Sequence, residues 1–129
     1  MSAVPTVVDL FNRIKEQEDN AQAFGFYWEN VEQLLDQVIS EAKEVQEAHL
    51  QENAEHIREE IGDLLNAVVS LSLFLKIDPA SALKESIDKF QRRYDQLVKL
   101  VEKDGLTNLQ DKSMDVLLSY WERAKVLEE

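Results

Sequence analysis

The sequence predicts an all-α fold, a bundle of four to five helices with an antiparallel helix pair at its centre. Hydrophobic residues make up 44% of the 129 positions, which is enough for one domain with a core. Only 3 Gly and 2 Pro are present, and this scarcity favours long helices joined by few turns. Apolar residues recur at helical spacing in five successive segments. We expect a single domain over residues 1–129.

The composition argues against several classes of protein. A formal net charge of −12 disfavours binding to DNA or RNA polymers, which requires a basic surface. The absence of cysteine excludes a disulfide framework and thiolate chemistry. No apolar run reaches membrane-spanning length, and the first residues do not resemble a signal peptide. We therefore expect a cytoplasmic protein with no membrane partner.

The first predicted helix covers residues 6–18, with Thr6 as its N-cap. A linker is predicted from Asn20 to Tyr27. Four aromatic residues cluster around Gly25 in and beside this linker: Phe24, Phe26, Tyr27 and Trp28. Two interpretations of the cluster stay open from the residues alone, a hydrophobic plug beside a helix start and a wall on which a base stacks.

The central pair consists of a second helix from about Glu29 to Leu50 and a third from about Ala54 to Lys76, joined near Gln51–Asn53. Both helices carry an apolar stripe at helical spacing. The stripes are Val31, Leu34, Leu35, Val38, Ala42 and Val45 on the second helix, and Ile57, Ile61, Leu64, Leu65, Val68 and Leu75 on the third. His49 and His56 flank the turn and are expected to be solvated.

The fourth helix is predicted to start at Asp78-Pro79, with Asp78 as N-cap, and to run to about Lys103. Gly105 is its expected C′ residue. The apolar residues of this helix follow a 4-3-4-3-4 spacing: Leu83, Ile87, Phe90, Tyr94, Leu97 and Val101. That spacing predicts a packing seam against other helices or another subunit, and we expect a homodimer or homotetramer. A last helix is predicted from about Asn108 to Leu127.

Two pairs of acids with i,i+3 spacing mark the central helices: Glu41 with Glu44, and Glu60 with Asp63. On each helix the acid pair lies beside the apolar stripe, on the same rotational side in both helices. Two antiparallel helices that face each other through these stripes would therefore point all four acids into one space. None has Lys or Arg three or four residues away on its own helix. Clustered oxygen ligands suit a divalent cation such as Mg²⁺ or Mn²⁺. The residues alone also allow an ordinary solvated acidic surface.

The motifs ExxE, at 41–44, and EEIGDLL, at 59–65, resemble those of the MazG-like nucleoside triphosphate pyrophosphohydrolases. The likeness covers roughly residues 20 to 127 and includes FYWENVEQL, KFQRRY and YWERAK. That family is all-α and Mg²⁺-dependent, and it cleaves nucleoside triphosphates to monophosphates and pyrophosphate. The residue before the first motif acid is often Glu in the family and is Ser40 here.

The resemblance implies a role for each acid and for the cations of the fourth helix. It places metal ligands, which would also be catalytic, on Glu41, Glu44, Glu60 and Asp63. The family uses the KFQRRY stretch on phosphates. Helical phase puts Lys89 and Arg93 on the flank with the same sense as the acids, and Arg92 on nearly the opposite side. We therefore expect Lys89 and Arg93, ahead of Arg92, to contact the phosphates of the substrate.

Three further positions are expected to bind the substrate. Trp28 lies in the region that borders the nucleotide pocket of the family. Trp121 and Lys125 match a C-terminal motif near the family's active site. The residues alone also allow an amphipathic helix that simply closes the bundle.

The expected activity is Mg²⁺-dependent hydrolysis of NTPs or dNTPs to monophosphates and pyrophosphate, as nucleotide-pool house-cleaning, with Mn²⁺ as a possible substitute. A non-catalytic helical interaction module is one alternative. A di-iron carboxylate bundle is another, but it requires Glu-x-x-His motifs. The residues three before His49 and His56 are Gln46 and Asn53, so neither histidine forms that motif.

Overall fold

A computed structural model of the chain describes residues 4–128, which form five α-helices and contain no β-strand. The helices are α1 (Val7–Phe24), α2 (Val31–Leu50), α3 (Ala54–Phe74), α4 (Pro79–Lys103) and α5 (Met114–Glu128). The predicted all-α class is confirmed. Within the described residues, no helix is both long enough and apolar enough to cross a membrane.

The chain divides into two compact units, one ending at Ala82 and the other beginning at Leu83. In the first unit, α2 packs along α3 and α1 packs against α3. The short turn between α2 and α3 makes these two helices antiparallel, as predicted. The buried apolar residues between the helices are few and mostly small: Leu34, Ala48, Ala67 and Val69.

Helix α1 begins where its sequence predicts and ends later. The Thr6 hydroxyl accepts from the Asp9 backbone N–H at 3.1 Å, and the Asp9 carboxylate accepts from the Thr6 N–H at 3.2 Å. This capping box confirms Thr6 as N-cap. The predicted linker is wrong over residues 20–24, which continue the helix to Gly25. No residue before Gly25 breaks a helix, and Gly25 ends it with a left-handed φ of 100°.

The predicted apolar stripe of α3 is only partly covered, because Ile57 and Leu64 are half-buried and its other residues are exposed. Ile61, Leu65 and Val68 are 44%, 63% and 45% exposed, whereas Glu60 and Ser70 are only 6% and 8% exposed. Since α3 is apolar over most of its circumference, hydrophobicity does not decide which face packs on α2. The apolar flank of α3 is left open to solvent in this unit.

Both predicted ends of α4 are confirmed. Asp78 accepts hydrogen bonds from the Ser81 N–H at 3.3 Å and from its hydroxyl at 2.6 Å, and these bonds lower the pKa of Asp78. At the other end, Gly105 has a φ of 83°, and the Leu106 N–H donates to the Val101 carbonyl at 3.1 Å. This is the bond pattern of a glycine-terminated helix.

Helix α5 starts at Met114, six residues after the predicted start at Asn108. The Asn108 side chain accepts from the Gln110 N–H at 2.9 Å, which stabilises a local turn in place of a helix. Asp111 then adopts a left-handed φ of 64°. The Ser113 hydroxyl accepts from the Val116 N–H at 3.3 Å and caps the helix that follows.

A polar cluster around Asp104 connects the C-terminal end of α4 to α5. The Tyr120 hydroxyl donates to Asp104 at 2.7 Å and the Arg123 guanidinium donates at 3.1 Å. These two hydrogen bonds lower the pKa of Asp104. Tyr120 itself is buried.

The predicted seam of α4 is covered only towards its C-terminal end. Val101 is buried at 3% exposure, but Leu83, Ile87, Phe90 and Tyr94 are 46% to 58% exposed. The rings of Phe90 and Tyr94 stack on each other at 6.3 Å. A long apolar stretch of α4 therefore faces solvent in the single chain.

Candidate metal centre

Three acidic side chains of the first unit converge: Glu41 from α2, and Glu60 and Asp63 from α3. One carboxylate oxygen of each lies within 4.8 Å of the others. Mg²⁺ binds oxygen at about 2.1 Å, so ligands on opposite sides of the ion are about 4.2 Å apart. The three carboxylates need only a small adjustment to hold such an ion. Three of the four predicted ligands are thus brought together.

Glu44, the fourth predicted ligand, lies outside this group of three. It is nevertheless a close neighbour, because its charge raises the pKa of Glu60. Glu44 is exposed, and its part in metal binding stays a prediction.

Glu60 has the most unfavourable environment for a charge among these acids. Its burial is the largest cause of its raised pKa, and the charges of Glu44 and Asp63 raise that pKa further. A hydrogen bond from His56 acts in the opposite direction. A buried carboxylate with acidic neighbours is stabilised in its ionised form by a cation, so the donor set and its electrostatics fit a divalent metal.

Two neighbours of the carboxylates were not predicted. His56 Nε2 lies 3.1 Å from Glu60 Oε1, and Gln37 Nε2 donates to Glu41 Oε1 at 2.6 Å. The expectation of a solvated His56 in the turn is wrong, because His56 lies in the first turn of α3. Both pairs have i,i+4 spacing, which is the signal in the sequence that could have identified them. Each contact holds one carboxylate oxygen in place and leaves the other for a ligand.

Removing the His56 contact is expected to weaken metal binding. In His56→Ala, Glu60 loses the donor that orients its carboxylate, and the affinity for Mn²⁺ should fall about tenfold. His49→Ala is the matched control, since His49 is exposed near the end of α2. Isothermal titration with MnCl₂ measures both variants. Equal affinities in the two variants would show that His56 does not support the site.

The second unit gathers the predicted cations of α4 around one carboxylate of α5. Arg92 Nε forms an ion pair with Glu128, and Arg93 Nε lies 3.8 Å from the other oxygen of Glu128. Arg92, Arg93 and Lys89 all lower the pKa of Glu128, with Arg92 the largest cause. The expectation that Arg92 points away from Arg93 is wrong for their guanidinium groups. Helical phase determines the direction in which each arginine side chain leaves the helix. The ion pairs with Glu128 determine where the two guanidinium groups lie.

Arg93 differs from Arg92 in burial and in hydrogen bonding. Its side chain is 21% exposed against 59% for Arg92. Its Nε is buried and has no hydrogen-bond partner among residues 4–128. The Glu128 carboxylate, 3.8 Å away, pairs with the charge of Arg93 but does not satisfy this donor.

The other predicted substrate contacts lie on α5 and before α2. The Trp121 ring packs 5.3 Å from the Phe90 ring, and Lys125 donates to Glu122 at 3.1 Å. These contacts fit a helix that closes the second unit, so a substrate role for Trp121 and Lys125 stays a prediction.

The aromatic cluster before α2 is not a hydrophobic plug. Phe24, Phe26 and Tyr27 are 91%, 72% and 61% exposed. Trp28 is less exposed, at 37%, and lines two neighbouring cavities in the first unit. The indole is therefore available to a ligand.

The fold and the carboxylate group define an all-α domain with a candidate divalent-metal centre on a helical hairpin. Residues 29–98, more than half of the chain, match the MazG nucleotide pyrophosphohydrolase domain. The chain belongs to the MazG family. The matched range contains the four acids and Lys89, Arg92 and Arg93. The other predicted substrate contacts lie outside it: Trp28, Trp121 and Lys125.

Two relatives extend the likeness over almost the whole chain. It is 37% identical over 119 residues to the nucleoside triphosphate pyrophosphohydrolase/pyrophosphatase MazG of Thermotoga maritima, covering 92% of this chain and 45% of that protein. It is 26% identical over 124 residues to the nucleoside triphosphate pyrophosphohydrolase of Escherichia coli K12, covering 95% and 47%. The chain spans less than half the length of either relative.

Proposed function

We propose that this chain is a Mg²⁺-dependent pyrophosphohydrolase that cleaves NTPs or dNTPs to monophosphates and pyrophosphate, in nucleotide-pool house-cleaning. The convergence of Glu41, Glu60 and Asp63 within 4.8 Å carries the proposal. Membership of the MazG family and the activity for which both relatives are named support it.

The acids and their neighbours would have different roles at the metal centre. Glu41, Glu60 and Asp63 hold the cation, with Glu44 as a fourth ligand, and His56 keeps the Glu60 carboxylate in position. Mg²⁺, or Mn²⁺ in its place, would supply positive charge to the phosphate oxygens and lower the pKa of a water.

Lys89 and Arg93 are the proposed phosphate contacts, and the Arg93 Nε, which makes no hydrogen bond to the described residues, supports the choice. They would offset negative charge on the phosphate oxygens as the α–β linkage breaks. The indole ring of Trp28 is proposed to stack on the base of the nucleotide. Trp121, Lys125 and Arg92 are proposed as outer contacts.

Alanine substitution should separate the roles of Lys89, Arg92 and Arg93 on α4. A charge-assisted hydrogen bond contributes about 1.5–3 kcal/mol, so Lys89→Ala and Arg93→Ala should lower kcat/KM by about ten- to a hundredfold. Arg92→Ala removes a mostly exposed ion pair and should change kcat/KM much less. Steady-state kinetics with a hydrolysed NTP measures all three. If Arg92→Ala were the most damaging, the phosphate contacts would be misassigned.

We also propose a homodimer or homotetramer. The exposed apolar residues of α3 and α4, such as Leu65 at 63% and Phe90 at 58%, support it, since large exposed apolar patches mark interaction surfaces. Sedimentation over a concentration series tests the proposal, and a monomer throughout would contradict it. The cytoplasmic location stays a prediction.

A nucleotide panel with MgCl₂ tests the activity, with products separated by chromatography. The proposal requires a monophosphate and pyrophosphate in equal amounts, and their loss when EDTA removes the metal. Release of a diphosphate and inorganic phosphate would indicate cleavage at the wrong linkage. No turnover of any nucleotide would favour the interaction module instead.

A further inference from the structure

A cavity of about 320 Å³ opens in the first unit beside Trp28. Trp28, Leu34 and Phe74 give it apolar walls. Six of its eleven lining residues are polar or charged: Lys15, Glu18, Asp19, Gln22, Ser70 and Lys76. Small-molecule sites are typically clefts of a few hundred Å³ with apolar walls and a few polar groups that fix orientation. The cavity has the size of such a site, and it combines apolar walls with a larger share of polar groups.

Two lining residues of the cavity, Leu34 and Ser70, lie in helical phase with the carboxylates of the α2–α3 hairpin. Leu34 precedes Glu41 by seven residues on α2, and Ser70 follows Asp63 by seven on α3. Seven residues return nearly to the same face of a helix and span about 10 Å. Because the helices are antiparallel, both steps lead away from the turn, in the same direction. A nucleotide with its phosphates at the acids could extend its base towards this cavity.

Glu18 gives the cavity a defined hydrogen-bonding character. Its Oε1 accepts from the Ser70 hydroxyl at 2.6 Å, and Ser70 is buried at 8% exposure. This contact holds the Glu18 carboxylate between α1 and α3, and Oε2 remains as an acceptor. An ionised carboxylate accepts hydrogen bonds and donates none. It matches an amino group on a base, such as N4 of cytosine, and repels a carbonyl oxygen in the same place.

We propose that this cavity holds the base of the substrate and that Glu18 selects bases with an amino group on their pairing edge. The substrate class rests on the function proposed above, but the selection by Glu18 has its own evidence in the cavity. CTP and UTP are the sharpest probes, since the two bases differ only in an amino or carbonyl group at C4 and the protonation of N3. A site that hydrogen-bonds a particular group discriminates strongly against an analogue lacking it.

The test compares kcat/KM for CTP and for UTP in three proteins. The wild type should favour CTP by about tenfold or more. In Glu18→Gln, the amide oxygen can accept from Ser70 while its amino group faces the base, so the ratio should fall to one or reverse. Ser70→Ala is the control for local disruption, because it removes the hydrogen bond between Ser70 and Glu18 but keeps the carboxylate. It should retain the CTP preference.

Calorimetric titration with CMP and UMP separates this inference from the proposed activity, since it requires no hydrolysis. One outcome is that no triphosphate is cleaved, but CMP binds more tightly than UMP and Glu18→Gln removes that difference. This outcome contradicts the proposed activity and supports base selection by Glu18. If CTP and UTP are cleaved equally, or the ratio is the same in Glu18→Gln as in wild type, the selection is overturned and the activity stands. In that case the role of Glu18 is limited to the hydrogen bond with Ser70 that joins α1 to α3.

Discussion

Glu60→Gln is expected to lower kcat by about a hundredfold and to raise the melting temperature of the metal-free protein. The amide keeps the size of the side chain and removes the charge that a cation needs. Without metal, that charge is buried at 6% exposure beside Glu44 and Asp63, so its removal relieves both desolvation and repulsion. A variant that loses activity while gaining stability cannot be explained by misfolding.

The same loss of activity is expected for Glu41→Gln, Asp63→Asn and Glu44→Gln. Glu44→Gln is the most informative of them, because Glu44 lies outside the group of three. Glu59→Gln is the matched control, as Glu59 is an exposed acid adjacent in the chain to Glu60 and should keep full activity. Turnover with MgCl₂ and melting by circular dichroism measure each variant. Full turnover in any two of the four site variants would exclude this metal centre.

Helix ends were predictable where one residue determines the backbone. Thr6, the Asp78-Pro79 pair and Gly105 each have a local preference that no distant contact overrides, and all three mark the ends of helices as expected. The linker predicted over residues 20–24 has no such support, because the sequence holds no helix breaker between Asn20 and Gly25. The helix predicted from Asn108 conflicts with the local preference of its side chain, which accepts from the Gln110 N–H in a turn.

The convergence of Glu41, Glu60 and Asp63 followed from helical phase and hairpin register, because both depend only on repeating geometry. The burial of Glu60 did not follow. It depends on which face of α3 packs against α2, and the apolar residues cover too much of the helix to decide that. The meeting of Arg92 and Arg93 at Glu128 depends on the ends of long side chains, which phase does not fix.

Divalent metal is expected to stabilise the folded protein far more than a monovalent salt does. A ligand that binds only the native state adds RT ln(1 + [L]/Kd), about 2.7 kcal/mol at a hundredfold excess over Kd. For a domain of this size, the gain corresponds to a rise in melting temperature on the order of 10 °C. Mg²⁺ or Mn²⁺ should therefore raise the melting temperature, and NaCl at matched ionic strength should raise it much less.

Scanning calorimetry of the wild type, Asp63→Asn and Glu59→Gln, each with MgCl₂ and with NaCl, measures this linkage. Asp63→Asn removes one ligand of the converging group and should lose most of the gain, while Glu59→Gln should keep it. Protons compete with the metal for the same oxygens, so the gain should shrink as the pH falls towards the range where carboxylates titrate. An ordinary acidic surface would respond only to ionic strength, because screening does not depend on which carboxylates are present. Equal gains from MgCl₂ in the wild type and Asp63→Asn would therefore show that these acids do not form a specific metal site.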